Sequence, residues 1–265
     1  MDSGRPIRPG GGRREPLARA AGHALVQNRP MQEVKALLFD VFGTLVDWRG
    51  SVAREARRLL APLRVSIDWE AFADAWRAEY QPAMEAVRSG RLPFSKLDVL
   101  HRRNLDVILP RFGLGWLDEA ARSELNLAWH RLDAWPDVAE GLARLRTKFR
   151  VAPCSNGNVS LMVDLARRNG FAWDAILGAE FARDYKPKPV VYLASAAAFD
   201  CTPAQAMMVA AHSSDLVAAA AAGLRTAFVA RLDEHGPGKG EGRANVPVDV
   251  SVPSLLALAE RLGCG

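Results

Sequence analysis

The segment VKALLFDV, Val34 to Val41, is an almost unbroken apolar run that stops at a carboxylate, Asp40. A strand with one wet face alternates apolar and polar residues, whereas a continuous run marks a strand covered on both faces. That requirement points to a parallel sheet with helices above and below it. The next stretch, from Ser51 to about Ala134, contains no convincing strand. SVAREARRLLAPL is helical in pattern. Phe72, Trp76, Tyr80 and Met84 recur every fourth residue and so share one helix face. Phe94 to Ile108 and Leu117 to Leu132 also read as helix.

From Trp135 the pattern changes. RVAPCSN, AWDAILGAE, AQAMMVAA and LRTAFVA read as strands. They alternate with helical VAEGLARLRTKF, VSLMVDLARRNG, PVVYLASAAAF, the run from Asp215 to Ala222, and a final helix in SVPSLLALAERL. Gly170 and Gly223 close two of these helices. This alternation predicts an α/β fold: an open, parallel, Rossmann-like sheet with an all-helical cap inserted after the first strand. The expected division is a disordered basic tail at 1–33, a core made of 34–50 and 135–265, and a cap at 51–134.

The formal charge of +5 belongs mostly to the tail, whose Arg5, Arg8, Arg13, Arg14, Arg19 and Arg29 face only Asp2 and Glu15. The rest is nearly neutral, which argues against a nucleic-acid surface on the folded part. The tail lacks the apolar core of a secretory signal. A transit-type leader and an extended start ahead of Met31 are the alternative readings. No apolar run reaches the ~20 residues that span a bilayer. Cys154, Cys201 and Cys264 follow no disulfide or zinc spacing, as expected of a cytoplasmic, reducing compartment.

Ligands of open α/β sheets bind at the carboxyl ends of the strands. Asp40, Ser155 and the segment around His212 all fall at predicted strand ends. An Asp there is either a turn or helix cap or a carboxylate nucleophile that forms an ester with its substrate. Thr44 and Ser155 supply hydroxyls and are also ordinary helix caps. Arg77 lies ~100° around the helix from Trp76. It is either a surface arginine paired with Asp74 or Glu79, or a cation facing a site.

FDVFGTLVDW, SNG at Ser155–Gly157, YKPKPVVY at Tyr185–Tyr192 and the late Asp215 resemble, in order and spacing, the haloacid dehalogenase superfamily. Within it the pattern is most similar to the type II L-2-haloacid dehalogenases, over everything but the tail. The resemblance implies a small 2-haloacid substrate and an aspartyl-ester mechanism, with Asp40 as nucleophile positioned by Thr44. Lys186 is then the ammonium beside Asp40, where a cation favours the ionised carboxylate. Arg77 and Asn156 receive the halide, with Tyr80 lining the pocket. Ser155 binds the substrate carboxylate, and Tyr192 supports the site.

Phosphatases of the superfamily carry a second Asp two residues after the nucleophile, to protonate the leaving oxygen and help hold Mg²⁺. Here that residue is Phe42. A halide leaves without a proton, so an aromatic can instead wall the pocket. The Mg²⁺-dependent relatives also have two late acids four residues apart; here Ala211 precedes Asp215. Two carboxylates are a poor set for a hard dication, so neither metal nor cofactor is expected, and Asp215 is free to hold Lys186 or a water. His212 stands where the best-known pattern has Asn, and Ala210 where a Ser is often found. An imidazole there, with an ordinary pKa of ~6.5, is a candidate activator of the hydrolytic water. Asp47 reads as a loop or capping acid. The alternative readings are a Mg²⁺-dependent phosphatase and a non-catalytic binding protein on the same fold. No nucleic-acid or membrane partner is expected; a homodimer is left open.

Overall fold

In the computed structural model, which describes Met1 and residues 34–265, the first apolar run forms β1 (Ala36–Phe39), with every side chain buried. Five more strands run parallel to it: β2 (Arg150–Ser155), β3 (Leu177–Gly178), β4 (Ala206–Ala210), β5 (Arg225–Val229) and β6 (Val250–Val252). The order across the sheet is β3-β2-β1-β4-β5-β6. β1 is therefore central: Leu38 is in register with Ala152 on one side and Met208 on the other. The strand order reverses here, which opens a crevice at the carboxyl ends of β1 and its neighbours.

The two-residue period of a strand sends alternate side chains into two separate layers. Leu37 and Phe39 join Val151, Met207 and Val209 in one, and Ala36 and Leu38 join Ala152, Met208 and Phe228 in the other. Each large apolar side chain so buried contributes about 1.5–3 kcal/mol. This double coverage is the physical content of the unbroken apolar run.

Between β1 and β2 lies a helical insert: α1 (Trp48–Leu60), α2 (Trp69–Ala78), α3 (Tyr80–Arg88), α4 (Leu97–Ile108) and α5 (Glu119–Asn126). Its two ends meet in a short antiparallel ribbon, Val46–Asp47 against Asp133–Ala134. Side chains of Asp47, Asp68 and Asp118 accept from backbone N–H groups at the starts of α1, α2 and α5. Asp47 is thus a helix cap, as read from sequence. The α/β half continues with α6 (Val138–Arg146), α7 (Val159–Asn169), α8 (Ala179–Ala182), α9 (Pro189–Ala197), α10 (Ser213–Ala221) and α11 (Leu255–Arg261). The small side chains of α10 let it approach the sheet closely, with Ala219 fully buried. The expected α/β sheet with an inserted helical cap is the fold observed.

Three local readings differ. The Phe72–Met84 stripe is not one helix: the backbone breaks at Glu79, between α2 and α3, yet all four side chains stay buried. The predicted helix from Leu117 to Leu132 ends at Asn126 and tightens into a 3₁₀ turn, Leu127–His130. The final helix expected from Ser251 starts only at Leu255, because Ser251 and Val252 belong to β6, paired with β5. The expected disorder of the tail falls on residues outside those described. All three cysteines are free and buried. No helix among the described residues is long and apolar enough to cross a membrane.

Candidate active site

Asp40 follows directly on β1, and its backbone N–H donates to the Val209 carbonyl at 3.0 Å, the last rung beside β4. The chain then turns sharply. Gly43 adopts φ +83°, a conformation open to glycine without strain, and the N–H of Leu45 returns to the Val41 carbonyl at 2.9 Å. This turn carries Thr44 back onto the acid. Its hydroxyl donates to Asp40 Oδ2 at 2.8 Å and accepts from the N–H of Ala211 at 2.9 Å.

The loop before α9 delivers Lys186. Its ammonium donates to Asp40 Oδ1 at 2.9 Å and to Asp215 Oδ2 at 2.5 Å. Asp215, in the first turn of α10, also accepts from the Tyr192 hydroxyl at 2.5 Å. The Lys186 backbone N–H is held by Asn156 Oδ1 at 2.8 Å. All these groups are shielded from water. Burial by itself pushes the Asp40 carboxyl up, but the Lys186 ammonium and His212 outweigh it and hold the acid well below the usual carboxylate range. Burial alone would lower Lys186; Asp215 and Asp40 instead raise it well above the ordinary value. The pair is therefore ionised across the whole neutral range.

His212 sits at the end of β4 between two acids. Nδ1 lies 3.1 Å from Asp40 Oδ2, and Nε2 lies 2.8 Å from Glu234 Oε2. Burial disfavours the cation, but the two carboxylates prevail and the imidazole is pushed up to about 10. The two facing carboxylates thus favour the imidazolium at neutral pH, where an imidazole of ordinary pKa is mostly neutral. Glu234, on the loop after β5, was not anticipated. It is 2% exposed, and Trp48 Nε1 also donates to it at 3.0 Å.

From the insert come Arg77 and Tyr80. Arg77 does not pair with Asp74 or Glu79, which bind Arg49 and Arg111 instead. Its guanidinium lies 3.9 Å over the Tyr80 ring and 5.3 Å from that of Trp48, and buried Nη1 has no hydrogen-bond partner. Phe42 stands edge-on to Tyr80 and Trp129, at 6.3 and 5.9 Å between centroids.

These parts enclose a cavity of about 380 Å³ lined by Asp40, Phe42, Arg77, Tyr80, Asn156, Lys186, Tyr192, His212 and Asp215. A family profile described as haloacid dehalogenase-like hydrolase matches residues 34–223.

The chain belongs to the haloacid dehalogenase-like hydrolases.

This hydrolase is 30% identical over 213 residues to the (S)-2-haloacid dehalogenase of Xanthobacter autotrophicus, which covers 76% of this chain and 77% of that enzyme. Its fold matches the crystal structure of a defluorinating L-2-haloacid dehalogenase with a TM-score of 0.84 and 42% identity, over 87% of this chain and 95% of that one. A structure of the Xanthobacter autotrophicus enzyme with chloropropionic acid covalently bound matches with a TM-score of 0.73 and 26% identity, over 87% of this chain and 98% of that one.

Two residues expected at the site of this hydrolase do not line the cavity. Thr44 is fully buried behind Asp40. Ser155 is also fully buried, and its hydroxyl accepts from the Gly157 N–H at 3.0 Å instead of facing the cavity. Gln81, Arg88, Pro187 and Ser214 also line the cavity. Arg88 is one helical repeat past the Tyr80–Met84 stripe, so its spacing was a usable signal. Among the described residues no group of three or more His, Cys, Asp or Glu side chains is arranged to hold a metal.

Proposed function

We propose that this hydrolase converts short 2-haloalkanoic acids to 2-hydroxy acids, with inversion, through an ester on Asp40. The observation that carries this reading is the state of the Asp40 carboxylate. It is buried and ionised, and its Oδ2 already takes two donors, Thr44 and His212. Oδ1 takes only Lys186, so it keeps the lone pair that attacks C2 of the substrate. Halide departs towards Arg77, whose buried Nη1 has no hydrogen-bond partner, with Asn156 lining the same cavity, so that a preorganised donor meets developing charge. No proton is delivered to the leaving group, which fits Phe42 in place of an acid.

Lining cations Arg77, Arg88, Lys186 and His212 outnumber the acids Asp40 and Asp215, and this balance favours an anionic substrate. In this reading the substrate carboxylate answers to that field and not to the Ser155 hydroxyl. Residues 51–134 act as the cap on a core of 34–50 and 135–265, contributing Arg77 and Tyr80 and keeping bulk water from Asp40 before the ester exists. Water then adds to Asp40 Cγ. Its proton passes to Asp215 and on to the departing product oxygen. Lys186 bridges both carboxylates and the His212 imidazolium supplies the second positive charge, so the chemistry needs no dication.

The test is a single turnover of 2-chloropropionate in ¹⁸O-water with enzyme in excess, followed by mass analysis of the peptide containing Asp40. Label is expected in that carboxylate, and Asp40→Asn should release no halide. Label confined to the hydroxy acid would overturn the ester route. Activity abolished by EDTA and restored by magnesium would overturn the metal-free one.

A further inference from the structure

Glu234 touches neither the nucleophile nor the cavity, yet it is among the most deeply buried charged side chains of the described residues. Both of its oxygens lie within hydrogen-bond distance of His212 Nε2, at 3.0 and 2.8 Å. Room for it depends on Gly43, where a Cβ would come within 2.1 Å of Glu234 Oε1. The loop is anchored by Arg231, whose Nε donates to the Thr44 carbonyl at 2.8 Å and whose guanidinium pairs with Asp137. An imidazole facing a carboxylate at each nitrogen presents an N–H to both.

The consequence rests on the ester reading above. Once the ester forms through Oδ1, Oδ2 is its carbonyl oxygen. When water adds at Cγ, the carbonyl electron pair moves onto Oδ2. Two donors already point there: His212 Nδ1–H, and the Thr44 hydroxyl, oriented by the Ala211 N–H that occupies its lone pair. The geometry points to an oxyanion clamp for the second half-reaction: Glu234 holds His212 as the imidazolium, and His212 with Thr44 stabilises the charge on Oδ2 while the water oxygen bonds to Cγ. Collapse restores the carbonyl and breaks the bond from Cγ to Oδ1. The product oxygen takes the proton carried by Asp215, and the second water proton leaves the regenerated Asp40 carboxyl for solvent. His212 and Thr44 touch the reacting atoms; Glu234 is a positioning residue.

Esterification neutralises Asp40, so in the ester His212 keeps Glu234 as its only adjacent anion. His235 beside Glu234, and Lys186, Asp215 and Arg77 in the shared cavity, complete its charged surroundings. Its proton is then lost at lower pH than in the resting enzyme.

The clamp predicts that ester hydrolysis falls as pH rises, whereas a base at the same position predicts that it grows. Rapid-quench reactions with 2-chloropropionate between pH 6 and 9 follow the halide burst and the mass of the Asp40 peptide separately. In the wild-type protein the burst rate should stay level while ester hydrolysis declines towards alkaline pH. Glu234→Gln should keep the burst, slow ester hydrolysis about 10²-fold at pH 8, and move the alkaline decline down by about one pH unit. Hydrolysis that rises with pH in the wild-type protein, or a Glu234→Gln decline at the wild-type position, would overturn the clamp. Halide release without any ester in the wild-type protein would overturn the underlying reading itself.

Discussion

Replacing Lys186 with Met keeps the length of the side chain and deletes its ammonium. That ammonium is 2.9 Å from Asp40 and 2.5 Å from Asp215, with all three side chains at most 10% exposed. At an effective dielectric near 20, each such pair is worth roughly 4 kcal/mol of attraction. Deletion also recovers the ammonium's desolvation cost, several kcal/mol, but strands two carboxylates. Breaking buried pairs of this kind costs about 3–5 kcal/mol. At ~2–4 °C per kcal/mol for a body of this size, Tm falls by on the order of 10 °C. The pH window follows from both partners. Lys186 is raised, so its contribution is fully present below 10.5 and is lost as pH climbs through the folded value. Asp40 is lowered, so its contribution is present above 3.8 and is lost as pH falls through the folded value. The gap between wild type and Lys186→Met should therefore be widest between these limits and narrow outside them. Denaturant titrations across pH measure it. Adding Asp215→Asn should restore part of the loss, because one stranded charge disappears. A Lys186→Met protein as stable as wild type at pH 7, or a gap that widens in acid, would show that the ammonium does not hold these carboxylates in the folded state.

Gly43→Ala should cost about 1–2 kcal/mol for a left-handed backbone, and its Cβ would displace the Glu234 carboxylate. Rapid-quench kinetics should show a preserved halide burst with slowed ester hydrolysis. His130 lies 2.7 Å from Asp164 and 3.1 Å from Asp98, and although burial opposes its charge these acids raise its pKa. Its stabilisation is fully present below 6.5 and lost as pH rises through the folded value. His130→Gln should thus lose about 1–3 kcal/mol at acidic pH, with the deficit shrinking by pH 9 in denaturant titrations.

Much of this site could be read from the chain. Asp40 at the end of a doubly buried strand and Thr44 four residues on are local patterns with local physical reasons, and Lys186 stands within the YKPKPVVY motif. Phe42 was legible through the acid it replaces. Glu234 was not. It lies just before a loop rich in glycine and charge, where an acid normally faces water, and only the return of that loop over Gly43 and Trp48 buries it. The break at Glu79 was hidden because the four-residue period continues across it. β6 is only three residues long, and the partner that makes it a strand is distant in sequence.

The layers, the order of strands and insert along the chain, and the acid that ends β1 follow from the linear chain, because apolar period and turn chemistry act between near neighbours. The acids facing His212, the surroundings of Arg77 and the burial of Ser155 emerge only on folding. Those depend on separations of a few ångströms between segments far apart in sequence, and on burial that strengthens every charge it encloses.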